Sequence, residues 1–265
     1  MLALDTIHHT DLVSLCGQLD PQSVDMIFAD LPYGVTSHEW DKVIPFDEMW
    51  QAFNRVIKPD GAIVLTATEP FASQLRVSNL EAYRYDWIWQ KTNATRFLDA
   101  DKMPLLAHEY ILVFGQQLPR YYPQMIAGKP YTAKRAGKVS HIKDKNLERT
   151  TTVNNGTRYP RTIITMNMPQ DKKIHPTQKP LNLIQYLIKT YTQVGQLVLD
   201  PCVGSGTTAM AARSTNRHFI CGDITADYVK QAQERLVNDD PFQSSDLGEA
   251  GVQMSMFNVP TQEEE

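Results

Sequence analysis

Gln196-Leu197-Val198-Leu199-Asp200-Pro201-Cys202-Val203-Gly204-Ser205-Gly206-Thr207-Thr208 is an apolar run that ends in an acid, turns through two glycines and opens into a helix-forming stretch. A strand from Gln196 to Leu199, a Gly-x-Gly turn and a helix from about Thr207 bring backbone close to a ligand at the carboxyl edge of a parallel sheet. The following strand, His218 to Cys221, leads to Gly222-Asp223, an acid 17 residues after Gly206. A carboxylate there is placed to take both hydroxyls of a ribose, and Asp223 or Thr225 is also placed to cap a helix beginning near Ala226. The segment is not a complete dinucleotide fingerprint, because Ala209 stands where the third glycine belongs.

Toward the N-terminus, the apolar run Val24 to Ala29 enters Asp30-Leu31-Pro32-Tyr33-Gly34. A carboxylate, two backbone carbonyls and an aromatic ring at the mouth of a strand can grip a flat heterocycle that carries an amino group. Further strands are expected over Ala62 to Ala67, Tyr85 to Trp89 and Tyr110 to Phe114. Helical spacing places Phe46, Met49, Trp50, Phe53, Val56 and Ile57 on one buried face, ended by a turn at Lys58-Pro59-Asp60-Gly61. Helices are also expected from Lys179 through Tyr191, with Leu181, Ile184, Leu187 and Ile188 on one face, and from Ala226 to Val237. Strands alternating with helices predict an α/β fold around a parallel sheet.

The chain of 265 residues suits one large domain with an insertion, or two small ones. No apolar stretch reaches the roughly 18 to 20 residues of a transmembrane helix, and the N-terminus lacks a basic segment followed by an apolar one, so a cytoplasmic protein is expected. Cys16, Cys202 and Cys221 contain no CxxC pair, which argues for a reducing compartment without a disulfide frame or zinc site. The total charge is −4, yet residues 120–180 hold 13 Lys or Arg against 3 Asp or Glu. Periodicity fades from Gln116 to Asp171, where basic residues are interleaved with Tyr121, Tyr122, Tyr131, His141 and Tyr159. That composition suits an inserted module that meets a polyanion.

Three elements now stand in a fixed order: DLPYG at 30–34, HPTQKP at 175–180 and DPCVGSGTT at 200–208. Together they resemble the β group of the amino-group DNA methyltransferases, which use S-adenosylmethionine to methylate adenine or cytosine on the exocyclic nitrogen. The likeness runs from about Asp5 to Val237. It implies a Rossmann-like class I methyltransferase fold, with a mostly parallel twisted sheet and permuted motif order. The implied organisation is a catalytic half over residues 1–117, a target-recognition insertion over 118–174, a cofactor-binding half over 175–238 and a mobile acidic tail over 239–265.

Residue roles follow from the same resemblance. Asp30 and the Leu31 carbonyl would accept the target amino hydrogens and Tyr33 would stack on the flipped base, with Pro32 completing the catalytic tetrad. Relatives commonly have proline where Leu31 stands, a change that costs rigidity more than chemistry because the main chain carries the function. Asp200, Cys202, Gly204, Ser205, Gly206 and Thr207 would form the cofactor pocket, with Cys202 in place of the usual phenylalanine. Asp223 would hold the ribose, and Asp11 would contact the cofactor's adenine or serve only as a turn residue. His175, Gln178 and Lys179 would lie near its methionine end, where a cation could pair with the carboxylate, although Pro176 and Pro180 would suit helix initiation in any protein. Lys91 and Asn93 are further candidates for touching base or DNA. The implied partner is double-stranded DNA, a homodimer is a family tendency, and the chemistry needs no metal. Adenine is favoured because cytosine-specific relatives more often have serine where Asp30 stands. The competing readings are an N4-cytosine enzyme, a protein or RNA amine methyltransferase, and a DNA-binding protein that has lost turnover.

Overall fold

The computed structural model describes residues 2–34, 41–134, 151–166 and 178–238. In chain order its elements are β1 (Thr6–His9), α1 (Leu12–Gly17), β2 (Val24–Ala29), α2 (Phe46–Val56), β3 (Ile57–Ala67), α3 (Phe71–Ser78), β4 (Tyr83–Thr95) and β5 (Leu106–Phe114). Four short strands follow: β6 (Ile126–Ala127), β7 (Tyr131–Lys134), β8 (Thr151–Asn154) and β9 (Thr157–Arg158). The chain then forms β10 (Ile163–Thr165), α4 (Leu181–Tyr191), β11 (Leu197–Asp200), α5 (Thr207–Ser214), β12 (His218–Asp223) and α6 (Ala226–Asn238).

Eight strands form one sheet in the order β1-β12-β11-β2-β3-β5-β4-β10. Neighbours pair in parallel except at β5, which runs antiparallel to both β3 and β4. The parallel expectation therefore holds with one reversed strand. Alternate residues of the central strands enter opposite cores, as a period of two requires. Met26 and Phe28 pack with Val198 and Phe219 under α4 and α5. Ile27 and Ala29 pack with Leu199 and Ile220 under α1, α2 and α3. Both faces are covered, so the inner strands are mostly apolar. Trp50 and Phe53 are core residues, as their helical spacing predicts.

Two irregularities separate the observed strands from the expected ones. Lys58 to Gly61, read as a turn, is looped within β3: Val24 pairs with Ile57, and Met26 with Ala62. Gly61 permits this, since a Cβ there would meet the Asp25 carbonyl at 2.8 Å. In β4, pairing passes from Gln90 with His108 to Thr95 with Leu106, so residues 91–94 bulge out of the ladder. Ile163–Thr165, in the stretch read as insertion, lies parallel to β4 at the sheet edge.

Residues 123–161 form a separate compact unit. Among its described residues, β6 pairs with β9 and β7 with β8, both antiparallel. Arg158 organises it, lying 4.4 Å over the Tyr131 ring and donating to Asn154 Oδ1 and the Lys129 carbonyl. The acidic tail lies outside the described residues. Among those described, no helix is long and apolar enough to cross a membrane.

Candidate active site

β2 and β11 lie side by side, and the chain leaves them in opposite directions: from β2 to β3, and from β11 to β12. That reversal opens a crevice at the strands' carboxyl ends, where ligands bind in open α/β sheets. Asp30 follows the last residue of β2, Asp200 ends β11 and Asp223 ends β12. All three line a cavity of about 1070 Å³, just above the roughly 300–1,000 Å³ usual for a single small-molecule pocket. Such a space suits two ligands meeting.

Asp30 is the most heavily engaged group. Its Oδ1 accepts from the Tyr33 hydroxyl at 2.7 Å and the Thr66 hydroxyl at 2.5 Å, and its Oδ2 lies 2.6 Å from the Lys179 ammonium. Burial by itself would push this carboxyl upward. The charge of Lys179, and hydrogen bonds from Lys179, Thr66 and Tyr33, outweigh that and hold it below its ordinary 3.8. Burial also works against the charged form of Lys179, but Asp30 and Glu109 keep its ammonium above the ordinary lysine value. Lys179 lies 3.4 Å from Glu109 Oε2, and Lys91 pairs with the other oxygen of Glu109. A chain of alternating charge thus runs from Asp30 through Lys179 and Glu109 to Lys91. Burial, then the charge of Asp30, push the Tyr33 phenol well above 10, so its hydroxyl remains a donor.

The rest of the tetrad is set by packing. Leu31 is 4% exposed and belongs to the core that contains Leu12, Met49 and Phe71. Its side chain is anchored by that burial, and the residue also lines the cavity. One face of Tyr33 stacks on Phe71 at 5.1 Å between ring centroids. Gly34 has φ +69 and donates its N–H to Asp41 at 2.8 Å.

On the other side of the crevice, Asp200 accepts from Cys202 N at 3.0 Å and from the Thr208 hydroxyl. Burial raises its carboxyl to about 7, and Asp30 and Asp223 add to the rise against those two hydrogen bonds. Asp223 accepts from Gly204 N at 3.0 Å and Thr225 N at 2.9 Å, so one carboxylate ties the glycine turn to the start of α6. The two readings of Asp223 are compatible: it fixes backbone and still faces the cavity. Ser205 and Thr207 also line the cavity, their hydroxyls 3.2 Å apart, with Arg235 donating to the Ser205 carbonyl and the Thr207 hydroxyl. Burial and three nearby acids raise the Cys202 thiol well above its ordinary value, which leaves it a wall rather than a nucleophile.

Some expected groups stand elsewhere or do other work. Gly206 is absent from the cavity wall; a Cβ on it would meet Ala232 Cβ at 2.9 Å, so it allows α5 and α6 to approach. Asp11 is at the cavity and is also the N-cap of α1, accepting from Ser14 N at 2.9 Å. Lys179, expected to pair with a cofactor carboxylate, is committed to Asp30 and Glu109. Gln178 is on the wall, and His175 lies outside the described residues. Lys91 and Asn93 line the cavity from the β4 bulge. Thr66 and Glu109 were not singled out by sequence. Their signal is a lone polar residue within the apolar strands Ala62–Ala67 and Tyr110–Phe114 or at their edge, where burial demands a partner.

Comparisons with known proteins bear on the fold and the family. The chain is 28% identical over 257 residues to the type II methyltransferase M2.DpnII of Streptococcus pneumoniae, which covers 86% of this chain and 88% of that protein. It is 26% identical over 261 residues to M1.MboII of Moraxella bovis, covering 88% and 96%. Among solved structures, the M1.HpyAVI complex with SAM superposes with a TM-score of 0.58 at 24% identity, covering 87% of this chain and 99% of that one. The cytosine-N4-specific PvuII DNA methyltransferase gives 0.62 at 14%, covering 88% and 86%. The family model described as DNA methylase matches residues 24–234. A crevice at the switch point between β2 and β11, the tetrad on one side and the glycine turn on the other, all lie within that match: the chain belongs to the N6/N4 DNA methylase family.

Proposed function

We propose that this chain transfers a methyl group from S-adenosylmethionine to the exocyclic 6-amino group of adenine in double-stranded DNA, with the target base swung out of the helix. The observation that carries the reading is Asp30: a carboxylate held ionised at the mouth of a cavity large enough for two ligands, opposite a glycine turn.

The residues fit a bound S-adenosylmethionine. Gly204, at φ +49, has no atom within 4 Å of where a Cβ would stand, and Asp223 and Asp11 present carboxylates to the same cavity. We assign Asp223 to the ribose hydroxyls, Asp11 to the adenine, and residues 200–207 with Gln178 to the remainder. Gly206 contributes by positioning the turn. When bound, the cofactor supplies an electrophilic methyl group on a sulfonium.

The protein's task is to make a weak nucleophile available. The adenine amino lone pair is delocalised into the ring. An ionised carboxylate has about four acceptor directions, and three on Asp30 are taken by Tyr33, Thr66 and Lys179. The one that remains accepts an amino N–H, and the Leu31 carbonyl accepts the other. Both favour a tetrahedral nitrogen and stabilise positive charge that develops only in the transition state. Lys179 and Glu109 fix the carboxylate, so little reorganisation is left for the reaction itself. The face of Tyr33 not covered by Phe71 is left for the base, and stacking there offsets part of the cost of unstacking it.

Aspartate rather than serine at position 30 supports adenine. A cytosine-N4-specific enzyme has the same fold, so the target base is the point to test. Expression in a host without DNA methylation, followed by sequencing that detects modified bases, should give N6-methyladenine within one sequence motif. N4-methylcytosine would replace adenine with cytosine in this reading, and no modified base would overturn it.

A further inference from the structure

The end of strand β4 forms the lip of the cavity, and the chain then continues beyond it. Residues Lys91 to Thr95 line the cavity. The next residue, Arg96, turns through a left-handed conformation at φ 68, and Phe97–Asp99 make one 3-10 turn. Backbone bonds close this tip: Asp99 N to the Arg96 carbonyl at 3.1 Å, and Lys102 N to the Asp99 carbonyl at 2.9 Å. The apolar side chains of this bonded turn point outward: Phe97 is 69% exposed, Leu98 94% and Met103 45%.

Single exposed apolar residues are ordinary on any protein. Three features set this tip apart. Its large side chains are adjacent in sequence on a hydrogen-bonded turn. The turn is reached through a left-handed non-glycine residue, a conformation that costs on the order of 1 kcal/mol or more. It is also continuous with the cavity wall, since three residues of chain, at most about 11 Å, separate Leu98 from Thr95. One hairpin therefore carries both a wall of the cavity and an exposed apolar tip.

We propose that the β4–β5 tip is a wedge: Leu98, with Phe97 beside it, enters the DNA stack and fills the space vacated by the target base. The proposal rests on the reading of the cavity as the site of an extruded base. Apolar wedges between base steps offset the loss of stacking, which amounts to a few kcal/mol per step. Arg96, between the cavity lip and the wedge, supplies a cation to the phosphates beside the extruded nucleotide. The wedge lowers the cost of extrusion and takes no part in methyl transfer, so its effect must depend on how well the target base is paired.

The test uses the full chain with Phe97→Ser and Leu98→Ser combined, surface changes that should leave the thermal midpoint unchanged. Methylation is measured on a duplex containing the recognition motif and on the same duplex with the target base opposite an abasic site. Wild type must methylate both; if it methylates neither, the reading of the site fails independently of the wedge. The wedge predicts a loss of kcat/KM on the order of tenfold or more on the paired duplex and less than about threefold on the abasic one, because the second needs little help to unstack. With 2-aminopurine at the target position, the variant should also show a smaller fluorescence rise on binding. Equal losses on the two duplexes, or no loss on either, would overturn the proposal. Equal losses with a shift to a smaller species in sedimentation would assign the tip to contact between two copies of this chain instead.

Discussion

Asp30 and Lys179 are 149 positions apart and meet at 2.6 Å, with side chains only 26% and 10% exposed. Removing one partner of a buried pair strands the other. Lys179→Ala should destabilise the protein by about 3 kcal/mol, the lower end for a buried pair because Asp30 is partly open. Adding Asp30→Asn should restore part of that loss, and a double-mutant cycle in denaturant measures the coupling. Asp200 behaves differently. The folded state binds its proton more tightly than the unfolded chain does, so between the ordinary 3.8 and about 7 this residue's contribution makes stability fall as pH rises. Asp200→Asn should therefore gain thermal stability over wild type at pH 8 and much less at pH 4.5; an equal gain at both would contradict that origin. The tetrad and the acids at strand ends were legible in the sequence because chemistry fixes residue type and strand ends fix position. The bonds from Thr66 and Lys179 to Asp30 were not. Lys179 reads as a helix-start residue beside proline, and only the sheet order brings it to β2.

The elements show the same division. β2 was legible to the residue, since a run of six with five apolar residues, followed by Asp30-Leu31-Pro32, leaves little choice. β1, α1 and α3 are short and carry weak periodicity, and β10 is three residues recruited by an existing edge. The β4 bulge was illegible because register depends on the partner strand, yet it turns Lys91 to Ala94 into the cavity. Glycines at 204 and 206 look alike in sequence and do different work. Gly206→Ala should cost about 2 kcal/mol or more, since it combines φ +82 with a contact at 2.9 Å. Gly204→Ala, with φ +49 and open space, should cost about 1 kcal/mol and act mainly on cofactor affinity. Chemical denaturation with and without S-adenosylmethionine separates the two effects.

For the molecule as a whole, the acidic total conceals a basic middle, a net of +10 over residues 120–180 in a chain of −4. Polyanion binding driven by such a segment releases counterions, so affinity for DNA should fall linearly on a log–log plot against salt. Within the compact unit, Lys134 is exposed on β7, whereas Arg158 is committed to Tyr131, Asn154 and Lys129. Lys134→Ala should lower the salt slope by about one with the fold intact; Arg158→Ala should loosen the unit itself, visible in proteolysis. The central claim remains that the Asp30 carboxylate releases the amino lone pair. Its most direct test is single-turnover transfer of a tritiated methyl group by Asp30→Ala, with cofactor affinity measured in parallel. The account predicts retained cofactor binding and a rate lower by about 10² or more; near-wild-type turnover with normal binding would contradict it.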